Sequence, residues 1–196
     1  TTIKDDNSIN LNYSFTSGIL GMAAKVDPAA ITINYTPASI DAVSQNAIYT
    51  EGSGVSQLVT TSVTINDPAL QVLNNNLGDY RGSYVEINRD SGINSADVLK
   101  IGAITGIKAL GTNLVDTVDN TKIYAGIEGS GTGHLKINFN GNVIADQALV
   151  NKIVNAVEFS TTDTTIKDDN SINLNYSFTS GILGMVAKVD PSAIII

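Results

Sequence analysis

Residues 1–33 recur at residues 164–196 without a gap, an offset of 163, and 30 of the 33 positions are identical. The three differences, Ala23 against Val186, Ala29 against Ser192 and Thr32 against Ile195, are small changes that one backbone accommodates. The three substitutions argue against an artefactual duplication of one segment. Periods of about 20 to 50 residues point to solenoids or propellers, whereas 163 residues is the size of a whole domain. The repetition therefore predicts a tandem array of near-identical domains, of which these 196 residues hold a little more than one period.

Within the repeated segment the residue pattern is that of strands. From Ser8 to Thr16 the apolar residues fall on every second position, which places Ile9, Leu11, Tyr13 and Phe15 on one face. Ser17-Gly18 signals a turn, and Ala30 to Tyr35 alternates again with Ile31, Ile33 and Tyr35 in phase. The pair reads as a hairpin whose connection runs past Gly18, Gly21 and Asp27-Pro28. Further short strands are expected at residues 47–50, 59–65, 83–88, 98–101, 122–127, 135–139 and 157–160, most of them bounded by Gly, Asn, Asp or Ser. Asn140-Gly141 predicts a type I′ hairpin turn, because that dipeptide tolerates positive φ at both central positions. One segment has a different period. Leu149, Val150, Ile153, Val154 and Val157 form a helical stripe that Asp146 is placed to cap, which predicts one short helix over about residues 146–156 in an otherwise β domain.

Composition narrows the range of partners. With 11 basic and 19 acidic residues the net charge is −8, which repels phosphate backbones and anionic lipid headgroups, so neither nucleic acid nor membrane insertion is expected. Runs such as Ala193-Ile194-Ile195-Ile196 are too short to span a bilayer, and no signal peptide is visible, so an exported protein would carry its targeting signal outside these residues. The absence of cysteine excludes a disulfide or thiolate-metal scaffold and leaves the compartment open.

No motif carries catalysis. The one histidine, His134, lies at the start of an expected strand with no cysteine to support a triad or zinc site. The glycine-rich runs at residues 128–133 and 51–54 lack the Lys-Ser/Thr and helix that a phosphate cradle needs, and read as turns. The expectation is a protein that is not an enzyme. Calcium is the cofactor to weigh, since it takes six to eight oxygen ligands from carboxylates, amides and carbonyls. Asp168-Asp169-Asn170, repeated from Asp5-Asp6-Asn7, is the densest acidic cluster, and Asp163 stands just before it. Tyr80, Tyr84 and Tyr124 are candidate stacking surfaces for a ligand, with residues 74–82 as the loop best suited to present one.

Several landmarks, taken in order, resemble a known family. They are Ile48-Tyr49-Thr50-Glu51-Gly52, Thr61-Ser62-Val63-Thr64-Ile65-Asn66-Asp67-Pro68, Ala96-Asp97-Val98-Leu99, and Ala148-Leu149-Val150 leading to Val157-Glu158-Phe159-Ser160. This order is similar to that of bacterial cadherin-like tandem repeats of giant surface adhesins, including those exported with calcium-binding C-terminal repeats. The resemblance covers roughly residues 46–196 and implies an all-β, cadherin-like or immunoglobulin-like Greek-key β-sandwich. It implies a frame in which residues 1–35 are the closing hairpin of a preceding repeat, 36–46 a linker, and 47–196 one complete domain. Glu51 and Asp67 match acidic positions where the family holds calcium. The implied function is an extender module of a secreted cell-surface adhesin serving adhesion or biofilm formation, with a glycan- or protein-binding module as the alternative. The implied partners are neighbouring repeats and, in the alternative, surface glycans or proteins. Because two copies of the hairpin compete for one place in the body, strand exchange between fragments is a further expectation.

Overall fold

The computed structural model describes residues 8–11, 14–16, 23–25, 29–32, 38–41, 47–48, 57–58, 63–163, 171–181, 186–188 and 192–195. It divides into two compact units, Thr1–Thr36 and Pro37–Ile196. In the first, β1 (Ser8–Leu11) pairs antiparallel with β4 (Ala29–Thr32), and β2 (Ser14–Thr16) pairs with β3 (Ala23–Lys25). Each of these sheets has two strands among the described residues.

The second unit is all-β with a short helix. In chain order it contains β5 (Ser39–Asp41), β6 (Ala47–Ile48), β7 (Gln57–Leu58), β8 (Thr64–Asn66), the one-turn segments α1 (Pro68–Gln71) and α2 (Leu73–Asn76), β9 (Tyr84–Arg89), β10 (Asp97–Ile101), β11 (Ile107–Leu110) and β12 (Asn113–Asp116). There follow β13 (Ile123–Glu128), β14 (His134–Asn138), α3 (Gln147–Val154), β15 (Val157–Thr161), β16 (Ser171–Thr179), β17 (Val186–Lys188) and β18 (Ser192–Ile195). A large sheet runs in the order β11-β12-β13-β14-β9-β16-β18-β6, with β17 also on β16, and a second sheet runs β10-β15-β7. Inward residues of both sheets share one core: Val85, Ile87, Leu135 and Ile137 from the large sheet, Leu99 and Phe159 from the small one, and Val150, Ile153 and Val154 from α3. Two sheets, antiparallel except for one parallel edge pair in the larger, around one core make a sandwich-like arrangement.

The repeated segment supplies a central strand of the large sheet. β16 pairs with β9 from Leu174↔Arg89 to Thr179↔Tyr84, and its alternate residues Ile172, Leu174, Tyr176 and Phe178 are all buried. The period-2 pattern thus becomes a buried face, as alternation requires. On its other edge β16 pairs with β18 and β17, in registers that reproduce those of β1 with β4 and β2 with β3 when 163 is added to each residue number. β18 continues into a parallel pair with β6, Ile194↔Ala47 and Ile195↔Ile48.

Two local expectations are corrected, and two further features stand outside them. Residues 39–41, expected in a linker, form a strand paired with β8, because Ile40 is 5% exposed and belongs to the core. Asn140-Gly141 makes no hairpin: β14 lies between β13 and β9, and neither residue has positive φ. Gly141 is instead required by close approach, since a Cβ there would collide with the Ile123 carbonyl oxygen. The tight two-residue turn is Gly111-Thr112, between the unforeseen strands β11 and β12, with Gly111 at φ 61°. Finally, the segment after Asp67 holds a helical turn followed by three consecutive asparagines, Asn74, Asn75 and Asn76, in left-handed conformation, which Asn accepts better than other non-glycine residues.

Candidate functional site

Helix α3 positions the segment that leads into Asp67. Asp146 caps it by accepting from the Leu149 N–H at 2.8 Å, as its place before the stripe predicts. The face carrying Gln147, Asn151 and Asn155, spaced four residues apart, then acts as a strand neighbour for residues 63–65. The Val63 N–H donates to Asn155 Oδ1 at 2.7 Å and the Ile65 N–H to Asn151 Oδ1 at 2.9 Å. In return Asn155 Nδ2 donates to the Val63 carbonyl and Gln147 Nε2 to the Ile65 carbonyl, each at 2.9 Å. Three carboxamides thus close one edge of this segment.

Asp67 follows directly and is fully buried. Its Oδ1 caps α1 by accepting from the N–H groups of Ala69 (3.0 Å) and Leu70 (3.3 Å), while Oδ2 has no hydrogen-bond partner. Its own N–H donates to the Tyr80 hydroxyl at 3.3 Å. Tyr80 is therefore not an exposed stacking surface. It is 0% exposed, its ring lies 6.1 Å from that of Phe178, and its place in a loop conceals that it belongs to the core. Burial raises the pKa of its hydroxyl.

Asp163 sits in a different environment. Arg89 on β9 grips Asp97 on β10 through two hydrogen bonds, Nε to Oδ2 and Nη2 to Oδ1, so one guanidinium joins the two sheets. Asp163 Oδ2 accepts from Asn94 Nδ2 at 2.9 Å and lies 3.6 Å from Arg89 Nη2. A cation and an amide donor on that oxygen are poor company for a metal ion. Asp67, with a buried carboxylate oxygen lacking a donor, fits calcium chemistry better than Asp163 does. The structure does not bring these two aspartates into one acidic cluster: no group of three or more Asp, Glu or His suited to a metal occurs among the described residues. Glu51, Asp168, Asp169 and Asn170 lie outside the described residues.

Of the other two tyrosines, Tyr84 is half-buried on the outward-facing side of β9, whereas Tyr124 is partly buried and packs against the core. The Lys136 ammonium stands 4.0 Å from the Tyr84 ring centroid and 3.8 Å from Glu86 Oε1, which His134 Nε2 also approaches at 3.8 Å. Tyr124 Oη donates to Asp116 Oδ2 at 2.8 Å, so its hydroxyl is committed and its pKa is raised by that bond. Beside them is a polar groove of about 530 Å³ floored by Gly126 between the turns at Gly111-Thr112 and Gly129-Ser130. Asn113, Asn138, Asn140 and Glu128 line it. Asn138 Nδ2 donates to Glu128 Oε1 at 2.8 Å, and the Gly126 N–H donates to Asn140 Oδ1 at 3.1 Å. The Asn113 carboxamide makes no hydrogen bond among the described residues. Tyr84 is the cross-strand partner of Asn138, which puts it next to this groove. Sequence reasoning missed the groove because its residues come from four separate strands and turns.

Among protein-family models, curated proteins and solved structures, none matches this chain.

Proposed function

We propose that the chain is part of a repetitive bacterial cell-surface adhesin in which the body serves as an extender module, projecting a distal binding region for adhesion or biofilm formation. The observation that carries this reading is the parallel pair of β18 with β6. Parallel neighbours make the chain enter β6 and leave β18 at opposite ends of the pair, so tension along the chain loads their hydrogen bonds together in shear. β16, held by β9 over six cross-strand pairs, backs that clamp. Near-identity of the two hairpin copies suits a role in which length and resistance to pulling are the selected quantities. Calcium belongs to this reading through the Asp168-Asp169-Asn170 cluster and the acidic positions Glu51 and Asp67 named in the sequence.

Pulling the 196-residue chain from its two ends tests the proposal. The expected trace has one dominant force peak releasing about 50 nm of contour, from roughly 3.5 Å per residue, and Ile194→Pro lowers that force by removing a donor from the clamp. A force unchanged by Ile194→Pro would count against it. The groove supports the second reading, a glycan-binding module, since carboxamides and a carboxylate beside an aromatic ring are the groups that hold sugar hydroxyls and ring faces. Glycan-array binding abolished by Asn138→Ala with an unchanged force trace would favour that reading.

A further inference from the structure

We propose that the strand slot along β9, filled here by the chain's own β16, also binds the 1–36 hairpin of a second copy of the chain. The strands concerned are identical: residues 8–16 and 171–179 both read SINLNYSFT. The hairpins are built alike as well, since Ser8↔Thr32 and Ser14↔Lys25 in one correspond by the offset of 163 to Ser171↔Ile195 and Ser177↔Lys188 in the other. What differs is the neighbour. β16 adds the β9 ladder and buries Leu174, Tyr176 and Phe178 completely, whereas the sheets of the first unit stop at two strands among the described residues. A two-stranded hairpin alone is marginal in water.

Exchange would therefore preserve the strand that lies along β9, with Leu11, Tyr13 and Phe15 taking the places of Leu174, Tyr176 and Phe178. The resident copy has the advantage of tethering. It is joined to β15 by only nine residues, 162–170, and a short covalent tether acts as an effective concentration in the millimolar range. Monomers accordingly prevail in dilute solution, and head-to-tail association appears at high protein concentration, or whenever the resident copy is disabled. This inference rests on the register of the two hairpins and holds whether or not the adhesin reading does.

Three variants of the full chain test it. Phe178→Asp disables the resident copy, Phe15→Asp disables the donor, and the third combines both. Phe178→Asp is expected to stay folded as an oligomer in sedimentation velocity, with a Tm that rises with protein concentration. Phe15→Asp is expected to remain a monomer of wild-type Tm, and the double variant to lose the cooperative transition of the body. Phe178→Asp as unfolded as the double variant, or folded yet monomeric at every concentration, would overturn the proposal. An independent measurement uses the lack of native cysteine. Glu86 faces Ser177 across the strands, and Ser14 is the equivalent of Ser177 in the other copy. Refolded at high concentration, Glu86→Cys with Ser14→Cys is expected to give disulfide-linked dimers mapped to residues 14 and 86. Glu86→Cys with Ser177→Cys is expected to stay monomeric. Absence of the 14–86 linkage between molecules would contradict exchange.

Discussion

Asp116 gathers the N–H groups of Asp119 (2.9 Å) and Val118 (2.8 Å) on one carboxylate oxygen and the Tyr124 hydroxyl on the other. The Asp119 N–H is the largest influence, and together these donors lower its pKa from 3.8 to about 2. A folded value below the unfolded one means that the associated stability is complete above the unfolded pKa and is lost as pH falls through the folded one. Carboxyl-detected NMR is expected to find Asp116 titrating near 2, and Tyr124→Phe is expected to shift it upward; titration at the ordinary 3.8 would refute the turn geometry. Arg89 is a polar residue whose loss should cost stability. Asp97 is 1% exposed, and removing its partner in Arg89→Ala leaves a buried carboxylate uncompensated. Urea denaturation is expected to show a loss of about 3 to 5 kcal/mol. A loss under about 1 kcal/mol, the range of an exposed pair, would show that the bridge does not join the sheets as described.

At the level of elements, what was legible followed from periodicity. The alternation of Ile172, Leu174, Tyr176 and Phe178 marks a buried strand face, and Val150, Ile153 and Val154 mark the buried stripe of α3. The polar face of the same helix was not read, although Gln147, Asn151 and Asn155 already stand at one helical spacing. Their partners, Val63 and Ile65, are more than 80 positions away, and apolar patterns say nothing about which backbone a carboxamide will reach. The ladder gives a direct test. Asn155→Leu leaves the Val63 N–H and C=O without partners, at about 1 to 3 kcal/mol for each group. A change in urea midpoint equivalent to less than about 0.5 kcal/mol would mean that water replaces the carboxamide at no cost. The turns show the same division. Asn140-Gly141 carries the strongest local hairpin signal, yet tertiary packing against Ile123 decides its conformation, while the weaker Leu110-Gly111-Thr112-Asn113 makes the actual turn. The candidate site divides in the same way: sequence proximity makes Asp163 a candidate calcium ligand beside the acidic cluster, but a guanidinium from a distant strand lies against it.

For the whole molecule, the duplication is the feature that organises the account. One sequence occurs in two settings, once as β16 inside a sheet beside β9, and once in a unit whose sheets have two strands among the described residues. The slot beside β9, the parallel clamp of β18 with β6 and the exchange between molecules all depend on that difference in setting. Hydrogen exchange measures it directly, because protection reports local opening free energy and the two segments are chemically identical. The measurement must be resolved by residue with NMR, since peptides from the two copies share one mass. Under the present account the amides of residues 174–179 exchange only through global unfolding, and those of residues 11–16 exchange orders of magnitude faster. Equal protection of the two copies, or protection of residues 11–16 alone, would contradict the claim that the C-terminal copy completes the body.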